Sequence, residues 1–130
     1  MIDWDALKAR ATEVRENAYA PYSQFKVGAA VLAQGRIFTG CNVENAVYGL
    51  TICAERVALF KGISEGERDF ETLAVVTSNG GSPCGSCRQV LDEFGPDIRV
   101  LIATPQQLVT ETRVNALLPR AFGPQHLLEP

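Results

Sequence analysis

The spacing of apolar residues changes several times along the chain, and each spacing predicts one kind of element. Near the start, apolar residues recur every three or four positions, as on the buried face of a helix; these residues are Leu7, Ala11, Val14 and Ala18. Asp3 or Asp5 can cap this helix, and Pro21 is expected to end it. Residues 27–32 and 36–43 are rich in β-forming residues on either side of a short turn, which predicts a hairpin.

Strands and helices alternate in the rest of the chain. The predicted elements, in order, are a helix over 53–61 that ends at Gly62, a buried strand over 73–77, a helix over 85–94, strands over 98–103 and 108–112, and a helix over 114–118. The link 104–107 is too short for a parallel crossover, so the last two strands are expected to be antiparallel. This order predicts an α/β fold, a three-layer α/β/α sandwich around a mixed five-stranded sheet.

Composition narrows the class of protein. The 130 residues, 46% of them hydrophobic and 21% charged, fit a single globular domain over residues 1–130. The net charge is −3 with both signs interspersed, which excludes the basic stripe that long nucleic acids require. No apolar run reaches the roughly 20 residues that span a bilayer, and the start has no secretory pattern. We therefore expect a cytoplasmic protein that acts on small molecules, with neither a nucleic-acid nor a membrane partner.

Cysteine usage points to metal chemistry. Four cysteines occur, at positions 41, 53, 84 and 87, and the one histidine, His126, is close to the end of the chain. In a reducing compartment these spacings favour a metal or catalytic site over structural disulfides. A zinc site in the body of the chain must therefore use thiolates, and His126 is expected to be exposed and inert.

Two segments carry the candidate metal site, Thr-Ile-Cys-Ala-Glu-Arg at 51–56 and Ser-Pro-Cys-Gly-Ser-Cys at 82–87. Cys84 and Cys87 present two thiolates from one helical turn, and Cys53 opens the other helix at the same edge of the predicted sheet. Three protein ligands leave one tetrahedral position for water, which is typical of a catalytic zinc rather than a structural one.

Two charged residues follow Cys53 directly. Glu55 is placed to take a proton from water activated by the metal and to deliver it to the substrate. Three thiolates more than neutralise a dication, so the site needs compensation from the helix N-termini and from Arg56. Our hypothesis is that Arg56 hydrogen-bonds a ligating sulfur and withdraws charge from it.

The Cys-Ala-Glu and Pro-Cys-x-x-Cys segments resemble the signature of zinc-dependent deaminases, here in its all-cysteine form. Further stretches resemble the small cytidine deaminases in the same order along the chain; they are Ala20-Pro21-Tyr22-Ser23, Phe25-x-Val27-Gly28-Ala29-Ala30, Gly40-Cys41-Asn42-Val43-Glu44-Asn45, Cys87-Arg88-Gln89 and Leu117-Leu118-Pro119-x-Ala121-Phe122. The resemblance implies a cytidine deaminase-like fold, one Zn²⁺ per subunit, and hydrolysis of cytidine and deoxycytidine to uridine and deoxyuridine in pyrimidine salvage, with zinc hydroxide attacking C4 of the base.

The resemblance also implies roles for residues outside the metal site. Asn42 and Glu44 would hold the ribose hydroxyls, and Phe25 and Ala54 would line the nucleoside site. Small members of this family are homotetramers with shared active sites, which implies contacts across subunits from Tyr48 and from Phe122, the latter against the base.

Other interpretations of the same residues remain open. The Cys84-x-x-Cys87 pair fits a redox dithiol, but the segment around Cys53 would then have no explanation. Cys41 as a fourth ligand would make a closed, non-catalytic zinc module. Within the same class of enzymes, the substrate could be a related aminopyrimidine nucleoside such as a blasticidin-type antibiotic. Ammonia release from cytidine would separate these cases.

Overall fold

The computed structural model describes residues 4–128 of the chain. Its helices are α1 (Trp4–Arg15), α2 (Ala54–Ser64), α3 (Gly85–Phe94), α4 (Val114–Leu117) and α5 (Pro124–Leu128), with a 3₁₀ turn at Tyr48–Leu50. The strands are β1 (Gly28–Ala33), β2 (Arg36–Cys41), β3 (Phe70–Val76), β4 (Arg99–Ala103) and β5 (Leu108–Arg113). Of these described helices, none is both long enough and apolar enough to cross a membrane.

All five strands form one sheet in the order β2-β1-β3-β4-β5. β3 and β4 are parallel, and the other neighbouring strands are antiparallel. The parallel pair needs a crossover, which α3 provides. The predicted mixed five-stranded sheet and the antiparallel pairing of β4 with β5 are both confirmed.

Alternate residues of the strands face two separate cores, as the pleat requires. On one face α1 packs through Leu7 and Ala11 against a surface that includes Ala30, Ala74, Val76, Leu101 and Ala103. The other face carries α2, α3 and α4; its buried members include Val31, Ala54, Ala58, Leu59, Val75, Leu91, Val100, Ile102 and Val114. Helices on both faces confirm the three-layer prediction. The single domain over 1–130 stays a prediction.

The predicted first helix runs too long at its carboxyl end. α1 ends at Arg15, and residues 16–18 continue as turns in which each N–H donates to the carbonyl three residues earlier. The chain leaves the helix early because the backbone of Tyr19 bonds to Asn42 and Glu44, well before Pro21. Asp5 lies in the first turn of α1 rather than at its cap, and Asp3 falls outside the described residues.

The prediction that Gly62 ends the second helix is wrong. α2 continues to Ser64, so Gly62 lies inside the helix. A glycine is required at this position because two aromatic rings occupy the space that a side chain would need. A Cβ at Gly62 would lie 2.9 Å from Phe70 Cε1 and 3.1 Å from Phe38 Cδ2. The glycine is therefore a packing requirement, and a glycine with positive φ, Gly66, follows the end of the helix.

Close backbone packing fixes where α2 begins. A Cβ at Gly40 of β2 would lie 2.5 Å from Ala58 N and 2.6 Å from Ala54 O, so this strand touches the α2 backbone directly. β2 ends at Cys41, two residues before the predicted boundary, and Val43 then pairs with Ile52. These contacts bring residues 42–44 beside the first turn of α2.

Two short elements were not predicted, the 3₁₀ turn at Tyr48–Leu50 and α5 at Pro124–Leu128. Neither contains a residue buried from solvent, so neither has the apolar periodicity that marks a core element. β3 also begins earlier than predicted, at Phe70. The prediction began at Leu73 because the exposed Glu71 interrupts the apolar run.

Candidate metal centre and active site

Three cysteine sulfurs converge at the N-termini of α2 and α3. Cys53 is the N-cap residue of α2, Cys84 is the N-cap residue of α3, and Cys87 lies one turn into α3. The Sγ atoms of Cys53 and Cys84 are 3.7 Å apart, those of Cys84 and Cys87 are 3.5 Å apart, and all three lie within 4.8 Å of one another. Thiolates at helix N-termini are favoured by the free N–H groups and the helix dipole.

The donor set and its spacing fit zinc. Two sulfurs bound at about 2.3 Å to one tetrahedral ion lie about 3.8 Å apart, close to the two distances given above. Soft thiolate donors select Zn²⁺ over Mg²⁺ or Ca²⁺. A tetrahedral ion held by these residues keeps one coordination position for a ligand from outside the chain.

Cys41 lies on the other side of the sheet. Its neighbour Gly40 faces the α2 backbone, and side chains alternate along a strand, so Cys41 faces the α1 layer. Its β1 partner Gly28 agrees, since a Cβ there would meet the α1 residue Ala11. Among the described residues, the cluster that fits a metal contains Cys53, Cys84 and Cys87 without Cys41, which argues against the closed four-cysteine module.

Arg56 lies against the sulfur cluster. Its Nη2 donates to Cys53 Sγ at 3.5 Å, and the thiolates raise the pKa of the guanidinium. Its Nε is buried and has no partner among residues 4–128. The positive charge therefore sits where three thiolates and a dication would leave one net negative charge.

The surroundings of two of the sulfurs shift their pKa values in opposite directions. Hydrogen bonds from Cys87 and Arg56 lower the pKa of Cys53 to about 5, while burial opposes them. The pKa of Cys87 is raised because its thiol donates to Cys53 and because the site is buried. Cys53 is therefore the more acidic thiol of these two.

Glu55 is a buried acid beside the cluster. Its side chain is 5% exposed and lines a cavity together with Cys53 and Cys84. Burial, and to a lesser extent the charge on Cys53, raise the pKa of Glu55 to about 7. A carboxyl group whose pKa lies near neutral pH can both accept and return a proton, as general acid–base catalysis requires.

The cavity has a volume of about 280 Å³ and is open to solvent at one side. Its walls include Phe25, Val27, Ile52 and Val75, and Asn42, Glu44 and Glu55 add polar groups. An apolar cleft with a few converging polar groups is the usual form of a small-molecule site. Ala54, the first residue of α2, also lines the cavity and is fully buried.

Asn42 fixes the backbone that carries Phe25. Its Nδ2 donates to Phe25 O at 2.8 Å, and its Oδ1 accepts from Val27 N at 2.9 Å. The amide keeps a second N–H and a second lone pair for another partner. Asn42 is 8% exposed, and Phe25 is 37% exposed.

Glu44 organises the loop that precedes Phe25. Its Oε1 accepts from the N–H groups of Tyr22 and Ser23, each at 3.0 Å, and its Oε2 accepts from the Ser23 hydroxyl. These bonds lower the pKa of Glu44, with the Ser23 hydroxyl contributing most. Glu44 is therefore an anion at the mouth of the cavity across the neutral pH range.

The chain matches one protein-family model over most of its length. Residues 2–104 match the model of the cytidine and deoxycytidylate deaminase zinc-binding region. The chain belongs to this family.

Individual relatives agree with the family model. A protein of Sporosarcina psychrophila named cytidine deaminase is 48% identical, over 97% of this chain and 96% of that protein. The crystal structure of cytidine deaminase from Burkholderia pseudomallei is 49% identical and superposes with a TM-score of 0.88, over 93% of this chain and 100% of that one. These similarities confirm the predicted family, fold and zinc cofactor.

A more distant relative carries the name of the alternative substrate. Blasticidin-S deaminase of Bacillus cereus is 33% identical, over 74% of this chain and 76% of that protein. It is therefore less similar to this chain, in identity and in the share of each chain covered, than the cytidine deaminase of Sporosarcina psychrophila.

Two residues that the deaminase resemblance places in the active site lie outside this chain's cavity. Tyr48 belongs to the exposed 3₁₀ turn, and its ring meets that of Tyr22 edge-on at 6.2 Å. The Phe122 ring is 56% exposed and lies on the other side of α3, near Gln89 and Glu93. In contrast, one cavity is lined by the other four residues that the resemblance places in the nucleoside site, Phe25, Asn42, Glu44 and Ala54.

Sequence reasoning missed two residues that shape the site. The Ser23 hydroxyl bonds to Glu44 and also accepts from Phe25 N at 3.0 Å. Arg88 donates to Pro83 O, Leu117 O and Ser82 Oγ at 2.7, 2.8 and 2.9 Å, and so holds the loop that carries Cys84. Both residues lie inside the motifs that resemble the small cytidine deaminases, and that resemblance is the one sequence feature that could have indicated their roles.

Proposed function

We propose that this protein is a zinc-dependent cytidine deaminase that hydrolyses the amino group of cytidine and deoxycytidine, giving uridine and deoxyuridine. The observation that carries the proposal is a cavity lined by the buried Glu55 and by two of the three cysteines, Cys53 and Cys84, whose sulfurs cluster at zinc spacing with that of Cys87. Membership of the deaminase family supports the same reaction. An open fourth position favours catalysis over a purely structural zinc module.

In this proposal Cys53, Cys84 and Cys87 hold the zinc ion. When bound, the ion supplies the Lewis acidity that makes a water molecule nucleophilic at neutral pH. Glu55 moves two protons in turn, one from the attacking water to a ring nitrogen of the base and then one from the new C4 hydroxyl group to the departing ammonia. Its burial supports this role, because bulk water has little access to this carboxyl group and so replaces it poorly as a proton carrier.

Arg56 is the partner that balances the charge of the thiolates. Its hydrogen bond to Cys53 Sγ draws electron density from a sulfur that would otherwise weaken the acidity of the metal. With the guanidinium of Arg56, the three thiolates and the zinc ion have a total charge close to zero, so the cavity can accept an uncharged base beside the metal.

The nucleoside occupies the cavity with its sugar toward the mouth. Asn42 and Glu44 bond the ribose hydroxyls with the donor and acceptor positions that they retain, Phe25 packs along the nucleoside, and Ala54 lines the base site. Among the described residues, no lysine, arginine or histidine lines this cavity, whereas Glu44 stands at its mouth. A phosphate dianion would be repelled there, so the substrate is a nucleoside rather than a nucleotide.

We infer further that active subunits assemble as a homotetramer with shared sites. Large apolar side chains exposed around the 3₁₀ turn support an interface there; Val47, Tyr48 and Leu50 are 62%, 76% and 66% exposed. Tyr48 and Phe122 then reach the cavity of a neighbour. The four free cysteines fit a reducing cytoplasm, where the enzyme would serve pyrimidine salvage.

A substrate panel on zinc-loaded protein tests this function. We expect the absorbance change of deamination with cytidine and deoxycytidine, little or no reaction with deoxycytidylate, and slower reaction with blasticidin S. Zinc measured by elemental analysis should equal one per chain, and sedimentation should give a tetramer. A zinc-loaded protein that leaves both nucleosides intact would contradict the proposal.

A further inference from the structure

The peptide group that joins Phe122 to Gly123 is held at both of its polar atoms by side chains. Gln89 Nε2 donates to Phe122 O at 2.7 Å, and Gly123 N donates to His126 Nδ1 at 3.0 Å. A peptide group fixed from both sides cannot rotate freely, so the direction of the Phe122 side chain is restricted.

His126 also contacts the Phe122 ring itself. The two rings are stacked, with centroids 5.2 Å apart and planes inclined by 21°. The Phe122 ring is nevertheless 56% exposed. An exposed aromatic ring normally samples several rotamers. The three contacts described above restrict the Phe122 ring, which is unusual for a side chain that is so exposed in its own subunit.

We propose that His126 and Gln89 are positioning residues, which hold the Phe122 ring in place to contact the nucleoside base in the active site of a neighbouring subunit. This inference rests on the proposed function, which places Phe122 in a shared site. A ring that is already ordered loses less conformational entropy on binding, so positioning strengthens substrate binding without a contact of its own.

The support for Phe122 comes from the helix that carries the metal ligands. Gln89 is two residues after Cys87 on α3, and its neighbour Arg88 donates to Leu117 O in the segment that leads to Phe122. In each subunit, α3 therefore has two roles. It carries two of the metal ligands of that subunit, and it holds the Phe122 ring that would enter the site of a neighbouring subunit.

Three variants separate the two roles of His126. His126→Asn keeps a hydrogen-bond acceptor at the position of Nδ1 but removes the ring, His126→Phe keeps a ring but removes the acceptor, and His126→Ala removes both. We expect KM for cytidine to rise ~3- to 10-fold in His126→Ala, the value of one aromatic contact. The Asn and Phe variants should each recover part of this loss, and kcat should stay within about twofold of wild type.

A double-mutant cycle gives the sharpest test, because His126 is argued to act through Phe122. Phe122→Ala should raise KM at least as much as His126→Ala, and the double variant should match Phe122→Ala alone. Additive effects, or a His126→Ala protein with unchanged KM, would overturn the proposal. Gln89→Glu, which cannot donate to the Phe122 carbonyl, should also raise KM.

Two controls distinguish positioning from a general structural role. Gln106→Ala makes a side-chain truncation at an exposed position of the link between β4 and β5 and should leave KM, kcat and the tetramer unchanged. His126 is the one histidine of the chain, so its ring protons can be assigned directly by NMR, and their ring-current shift should vanish in Phe122→Ala. Dissociation of the tetramer in His126→Ala would assign the residue to assembly and overturn the proposal.

Failure of this inference can be told apart from failure of the proposed function. If the wild-type protein does not deaminate cytidine, the function fails and the inference fails with it. If the wild type is active and Phe122→Ala changes KM but His126→Ala does not, only the inference fails.

Discussion

Replacing Glu55 by glutamine removes one proton carrier with little change in side-chain volume. The carboxyl group is 5% exposed and lies beside the sulfur cluster, but it is not part of that cluster. Glu55→Gln should therefore keep the fold and the zinc and lose the step that moves protons.

The size of the loss follows from this placement. General acid–base catalysis contributes about 10²- to 10⁴-fold, which corresponds to ~2.7 to 5.5 kcal/mol in the activation barrier. Solvent has little access to the position of Glu55, so water cannot take over the transfer. We expect kcat to fall by at least about 100-fold, while KM for cytidine changes little because the contacts to the sugar are intact.

The assay is the initial rate of absorbance loss with cytidine, run with zinc analysis and thermal unfolding on the same preparation. Glu71→Gln makes the same chemical change at an exposed position of β3 and should behave as wild type. A zinc-loaded, folded Glu55→Gln protein with kcat within about tenfold of wild type would refute the assignment.

Three further predictions follow from the site and the close packing around it. Cys53→Ala should release zinc, since two thiolates hold the ion poorly; retention of one zinc per chain by elemental analysis would contradict the ligand set. Arg56→Gln should lower kcat by about 10- to 100-fold at full zinc occupancy, and unchanged kcat would remove its tuning role. Gly40→Ala should lower the free energy of unfolding by ~1–3 kcal/mol in urea titrations, because its methyl group would meet the α2 backbone; Gly49→Ala, with no atom within 4 Å of the new Cβ, should not.

The metal site was predictable because its information is local. Each cysteine segment follows a strand and opens a helix, and strand and helix ends at one sheet edge lie close together. The spacing of Cys84 and Cys87 by one helical turn then leaves few ways to arrange the ligands. The two cysteine segments and Glu55 therefore predict a cluster that the structure brings together at one edge of the sheet.

Features set by long-range packing were not predictable from local patterns. Gly62 looks like a helix terminator, but its role depends on rings from two different strands, Phe38 and Phe70. The early end of β2 similarly depends on Val43 pairing with Ile52, which no periodicity encodes. Tertiary contacts override local preference in both cases.

The tail illustrates a different limit. The expectation that His126 is exposed is confirmed, but the expectation that it is inert conflicts with its contacts to Phe122 and Gly123. Nothing in the composition of this Pro- and Gly-punctuated segment indicates a stacked pair. Such contacts become visible only once α5 is placed beside α3.

The most direct test of the account is zinc-edge X-ray absorption of the purified protein. We predict three sulfur scatterers at about 2.3 Å and one oxygen at about 2.0 Å, which corresponds to three cysteine ligands and one solvent position. Four sulfurs around the ion, or a folded protein that takes up no zinc, would contradict it.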